Sequence, residues 1–214
     1  MEPTSPKPKR SIWLTGTVVV LLLGAAGFAG VVVRAVQQSN LTPTSDDLDL
    51  AAIVPRIDPT TLPQITIDHD VWLYDRTLVG TGARQLVADF VWTLSIEAEA
   101  VRIYDAELAL AVTRERRATQ VADLIEHNTE LGITTTARFE FDRFRVVLVP
   151  TDEVRPRVAV VAWGTGEFTD ISAAGDVTTR SVDIAETYVL TRARGGKMFI
   201  VDVIPPPPEP DANL

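Results

Sequence analysis

Hydrophobic and polar positions change their period three times along this chain. Between Trp13 and Val33 there is no period: WLTGTVVVLLLGAAGFAGVVV runs for 21 residues without a charge. From Ala83 to Leu131 apolar residues recur at steps of three, four or seven. Leu86, Phe90, Leu94, Ala98, Val101, Leu108 and Val112 form one stripe, the pattern of amphipathic helix. A single helix of that length does not suit a compact domain. Asp105, with Leu108 three residues on, and Thr113 before RER can accept from the free N–H groups of a helix start. Three helices are therefore expected: a long first, a short second, and a third from about Arg114 to Leu131. Gly132 stops the last, because glycine accepts the left-handed conformation of a helix end.

After Gly132 the period falls to two. Residues 134–149, 157–169, 179–192 and 197–203 read as four strands. Gly164 and Gly166 mark a bulge or bend in the second strand. Gly195-Gly196 supplies the positive φ of a tight hairpin between the last two. PPPP from Pro205 ends the sheet by removing the N–H donors a ladder needs. Ile65, Ile67, His69, Val71 and Leu73 alternate as a short strand or irregular entry to the first helix. Helices grouped first and strands grouped after define an α+β fold: an N-terminal transmembrane helix, then helices packed on a curved four-stranded antiparallel sheet.

At about 1.5 Å per residue, a helix over Trp13–Val33 crosses the roughly 30 Å hydrocarbon core of a bilayer. Lys7, Lys9 and Arg10 precede it and only Arg34 follows closely, which keeps the N-terminus cytoplasmic and exports the rest. The alternative is a cleaved signal peptide, with GFAG at Gly27–Gly30 as the cleavage site. Against it, the apolar run continues through Val33, past the about 7–15 residues of a usual signal core. The expected organisation is a cytoplasmic tail (1–11), a single-pass signal-anchor helix (12–34), a Pro-rich spacer (35–64), an extracytoplasmic α+β domain (65–204) and a disordered Pro-rich tail (205–214). The expected location is the cell membrane.

Charge narrows the partners. Beyond residue 34 the chain has 16 Lys and Arg against 28 Asp and Glu. Such a surface is repelled by phosphate backbones, so nucleic-acid binding is disfavoured. With no cysteine there is no disulfide, thiol nucleophile or thiolate metal site. His69 lies between Asp68 and Asp70, but neighbours on a strand point to opposite faces, so the triplet does not converge on a metal. His127 sits late in the third helix, where an imidazolium complements the helix C-terminus. Ser95, Ser172 and Ser181 lack a GxSxG elbow. GTGEF and GTG lack the spacing of a phosphate loop. The basic cluster RERR at Arg114–Arg117 reads as a solvated helix start.

No catalytic residue, metal or cofactor is assigned. Tyr104, Asp105, Asp142, Trp163 and Tyr188 are the pocket candidates, since a sheet closed by helices leaves a cavity these side chains can line. A buried carboxylate beside a phenol is a workable proton-abstraction pair.

The closing stretch reads Y-x-L-x-R-x-x-G-G-K-x-x-I-x-D-V, carried by Tyr188, Leu190, Arg192, Gly195, Gly196, Lys197, Ile200, Asp202 and Val203. With helices first and long antiparallel strands after, it resembles the nuclear-transport-factor-two-like (cystatin-like cone) superfamily over about residues 82–204. Met198 or Phe199 stands where that ending commonly has Trp. The resemblance implies a cone closed by helices. It also admits several roles, among them isomerases, cyclases and membrane-tethered, non-catalytic scaffolds. The N-terminal anchor and spacer are similar to the tethered type. The leading expectation is therefore an anchored extracytoplasmic interaction domain with a protein partner or a homo-oligomeric state. The alternative is an exported small-molecule binder or isomerase/cyclase-like protein.

Overall fold

The computed structural model describes residues 49–68, 71–73, 76–150, 157–192 and 197–207. The apolar run Trp13–Val33, His69, the Gly195-Gly196 turn and the end of the proline tail lie outside them. Among the described residues no helix is long and apolar enough to cross a membrane.

A short helix α1 (Leu50–Ile53) opens the described chain. A 3-10 turn follows at Pro59–Thr61, where the Asp58 carboxylate accepts from the Thr60 N–H. Strand β1 (Gln64–Ile67) and a two-stranded ribbon, β2 (Trp72–Leu73) with β3 (Arg76–Thr77), lead into helix α2 (Gly80–Ile103). Helix α2 ends on Tyr104 in the left-handed region, at φ 59°. The chain restarts at once, because the Asp105 carboxylate accepts from the Leu108 N–H at 2.9 Å and caps α3 (Ala106–Leu110). Helix α4 (Glu115–Leu131) closes on Gly132 at φ 62°. Its N-cap is Arg114; the Thr113 hydroxyl instead donates back to the Ala109 carbonyl at 2.8 Å. Three helices with these breaks are what the periodicity predicts.

Four long strands follow: β4 (Thr134–Val149), β5 (Arg157–Ile171), β6 (Val177–Arg192) and β7 (Met198–Ile204). The sheet has five strands in the order β1-β4-β5-β6-β7. It is mixed, which corrects the expected four-stranded antiparallel sheet. The added edge is β1, which runs parallel to β4 from Gln64 opposite Arg143 to Ile67 opposite Val146. A parallel pair needs a long crossover, and here all of α2, α3 and α4 lies inside it.

The register of β4 on β5 shifts between Phe141 and Arg143. Gly164 sits opposite, where an added Cβ would stand 2.1 Å from the Glu140 carbonyl oxygen. Only glycine permits that approach, so the bulge read from the sequence is fixed by a backbone contact.

Helix α2 packs across one face of the sheet. Leu86, Phe90 and Leu94 meet Phe144, Val146, Val160, Ala162, Tyr188, Leu190 and Ile200. A second cluster joins the later turns of α2 to the other helices through Ile96, Ala100, Leu108, Val112, Val121 and Ile125. Leu50 and Trp92 belong to it as well, and the Trp92 indole N–H donates to the Val54 carbonyl at 2.8 Å. Leu50 and Val54, which proline content assigns to the spacer, are thus packed on α2. The opposite sheet face holds a third cluster of Val147, Ala159, Val161, Val189 and Val201.

Candidate functional site

Where the helices cover the sheet, charged and phenolic side chains from α2, α4 and β6 form a row. Glu97 projects from α2 on the buried stripe, three residues after Leu94 and four before Val101, and is 5% exposed. Arg117 reaches it from the first turns of α4. Its Nε donates to Glu97 Oε2 at 3.0 Å, its Nη2 to Oε1, and its Nη1 to Gln120 Oε1 at 3.3 Å. This fork-on-carboxylate geometry is the strong form of an ion pair.

On β6, Tyr188 is 4% exposed and its phenol donates to Glu186 Oε2 at 2.8 Å. Two residues apart on a strand, both side chains point to one face. The Tyr188 ring lies 4.8 Å from that of Phe90. Glu186 itself is exposed.

These groups feel one another. Burial, then the Glu186 charge and the hydrogen bond to it, push the Tyr188 phenol well above its ordinary value, so it stays a proton donor. Burial works against the Arg117 charge, but the Glu97 carboxylate more than offsets it and holds the guanidinium ionised; Tyr188 and Glu186 act in the same direction. Chemically the set is one carboxylate–guanidinium fork beside one phenol–carboxylate pair. Within this set Glu97 is bonded to Arg117 and Tyr188 to Glu186.

Two further networks tie the ends of the domain. Asp89 accepts from Arg192 Nη2 at 3.1 Å and from Gln85 Nε2 at 2.9 Å. Arg56 lies 3.8 Å from the same carboxylate and stacks 3.4 Å over the Trp92 ring. At the other end Asn128 donates to the Thr135 hydroxyl at 3.1 Å, and Thr135 donates to Asp170 at 2.6 Å.

A cavity of about 330 Å³ opens between α2 and the first half of β4. Ile57, Val91, Ala98, Ala137 and Phe139 form its apolar walls. Of its polar lining, the Ser95 hydroxyl donates to the Val91 carbonyl at 2.8 Å and Arg102 Nε donates to Glu99 at 2.7 Å. Among the described residues no group of three His, Asp or Glu side chains gathers as a metal site.

Of the five side chains predicted to line a pocket, only Tyr188 lies on the helix-covered face beside a titratable partner. Tyr104 is the cap of α2, with its hydroxyl 2.9 Å from that of Thr134. Asp105 is the cap of α3. Asp142 is exposed at the β4 bulge. Trp163 belongs to the opposite face of the sheet, 4.3 Å beneath the Arg143 guanidinium.

The sequence pattern did not single out Glu97 or Glu186, and it placed Arg117 in a solvated helix start. For Glu97 a signal was present, a charge on the apolar stripe. The RERR cluster is also less solvated than its composition implies: Arg114 stacks 4.0 Å over Phe199, Arg116 pairs with Asp202 at 3.5 Å, and Arg117 turns inward.

Fold and site together define an α+β domain in which helices cover one face of a five-stranded mixed sheet, with a self-paired polar row between the layers. No family model matches the chain. No curated protein matches it either. Solved structures to which it is similar include the intermembrane space region of the chloroplast protein ARC6, 13% identical, covering 58% of this chain and 96% of that one, at a TM-score of 0.46. A nuclear transport factor 2-like superfamily protein from Salmonella enterica is 12% identical over 61% of this chain and 97% of that one, at 0.40. Aln2 from a Streptomyces species is 12% identical over 56% and 88%, at 0.39.

Proposed function

We propose that this chain is a single-pass membrane protein whose extracytoplasmic α+β domain serves protein interaction rather than catalysis. The observation that carries the non-catalytic half is the pairing inside the site. Glu97 is held by Arg117, and Tyr188 by Glu186, so the buried groups are occupied by one another instead of facing a substrate. The anchored half rests on the uncharged run Trp13–Val33 with Lys7, Lys9 and Arg10 before it.

A second reading, an exported small-molecule binder, is favoured by one feature. Glu186 is exposed while bonded to a buried phenol, which places an acid–base pair within reach of solvent.

Sealed membranes carrying the full chain test the anchored reading. The protein is expected to resist extraction at alkaline pH, and protease added from the non-cytoplasmic side is expected to digest the C-terminal domain. A soluble mature protein lacking residues 1–29 would overturn the anchor.

A further inference from the structure

The first half of β4, Thr134–Phe141, has β5 on one side and, among the described residues, no strand on the other. β1 pairs only with Arg143–Val146 and stops there. A strand edge of this kind presents unpaired N–H and C=O groups at alternate residues and is a template for another strand. Along it, Thr136, Arg138 and Glu140 are exposed, while Ala137, Phe139 and Phe141 turn toward the helices and are half-buried. The cavity between α2 and β4 adjoins this edge, and Ala137 and Phe139 are part of its wall.

We propose that this edge pairs antiparallel with the same edge of a second copy of the chain, about a two-fold axis at Phe139. It rests on the reading of the domain as an interaction module and names both its surface and its partner. Charge selects the occupant. Arg138 and Glu140 flank Phe139 by one residue on either side. Antiparallel pairing centred there sets Arg138 opposite the partner's Glu140, and Glu140 opposite the partner's Arg138. Phe139 meets the partner's Phe139, and Ala137 meets the partner's Phe141.

Moving the centre by one residue either way sets Arg138 against the partner's Arg138 or Glu140 against the partner's Glu140. Like charges directly opposite are destabilising, so both neighbouring registers are disfavoured, while the register centred on Phe139 gains two opposite-charge pairs. Charges on an edge strand commonly prevent pairing. That protection fails where the two signs alternate, because the edge then complements itself. Within one chain the two side chains pair at 3.0 Å while 74% and 71% exposed, an arrangement that contributes little alone. Pairing of edges gives each a second partner and brings the apolar walls of two cavities together around the Phe139 rings.

The test uses the full chain in detergent micelles. The chain has no cysteine, so Phe139→Cys places one thiol on the proposed axis. Oxidation is expected to give a covalent dimer. Adding Arg138→Glu or Glu140→Arg is expected to reduce the crosslinked fraction roughly tenfold or more, through like-charge repulsion. The charge swap, Arg138→Glu with Glu140→Arg, is expected to restore it. Unchanged thermal unfolding of the single variants would confirm that these exposed sites do not disturb the fold. No crosslink, a crosslink indifferent to the single reversals, or a swap that fails to rescue would each overturn the proposal. None of those results bears on membrane extraction, so the two readings fail separately.

Discussion

Replacing Arg117 by alanine is expected to cost the folded state about 3–5 kcal/mol, because it leaves a buried carboxylate without its counter-charge. Glu97 is 5% exposed and both its oxygens receive hydrogen bonds from Arg117. Glu97→Ala should cost about the same, by stranding the guanidinium. Exchanging both residues for apolar side chains of similar length, Glu97→Leu with Arg117→Met, should recover most of the loss. Urea unfolding of the chain in mild detergent gives the comparison, as a shift of midpoint at constant slope. A loss under about 1 kcal/mol in the single variants would mean that solvent reaches the pair and that it behaves as a surface ion pair.

The second large effect belongs to Phe90. It is fully buried, and its ring lies 4.8 Å from Tyr188, 6.3 Å from Phe144 and 6.4 Å from Phe141. Phe90→Ala is expected to cost about 3–5 kcal/mol, as lost transfer energy plus a cavity the surrounding rings close only partly. Phe90→Leu should cost less, because it keeps most of the volume. The same unfolding measurement ranks the two. Equal losses would show that aromatic contact, and not filled space, is what the position supplies.

Much of the helical half was legible because its signals are local. Asp105 and Gly132 act within one helical turn, and both fall where the pattern puts them. The bulge at Gly164 was legible for a related reason, since glycine inside an alternating run marks a close backbone approach. What escaped were pairings between residues far apart in sequence. β1 joins the sheet across 78 positions, from Thr66 to Phe144, and nothing in QITI fixes whether it runs parallel or with which strand it pairs. Arg117 and Glu97 are 20 residues apart on different helices. RERR has the composition of a solvated helix start, and only the packing of α4 on α2 decides that its last arginine turns inward. Among the pocket candidates, Trp163 packs on the opposite face of the sheet; at a Gly-rich strand near a bulge, one residue decides which face a side chain takes.

Whether the polar groups under α2 serve each other or a reaction is read most directly at Tyr188. Its phenol is raised by burial and by Glu186, so its proton stabilises the fold below the ordinary tyrosine range, about pH 10. That contribution is lost only as pH climbs through the higher folded-state value. A phenol poised for acid–base work near neutrality would be shifted the other way. Carbon-13 NMR of labelled tyrosine, assigned with Tyr188→Phe, follows the titration. Tyr188 is expected to keep its proton past the point where an ordinary tyrosine loses it; titration at or below that point would mean that the group is not held by its neighbours and is free for chemistry.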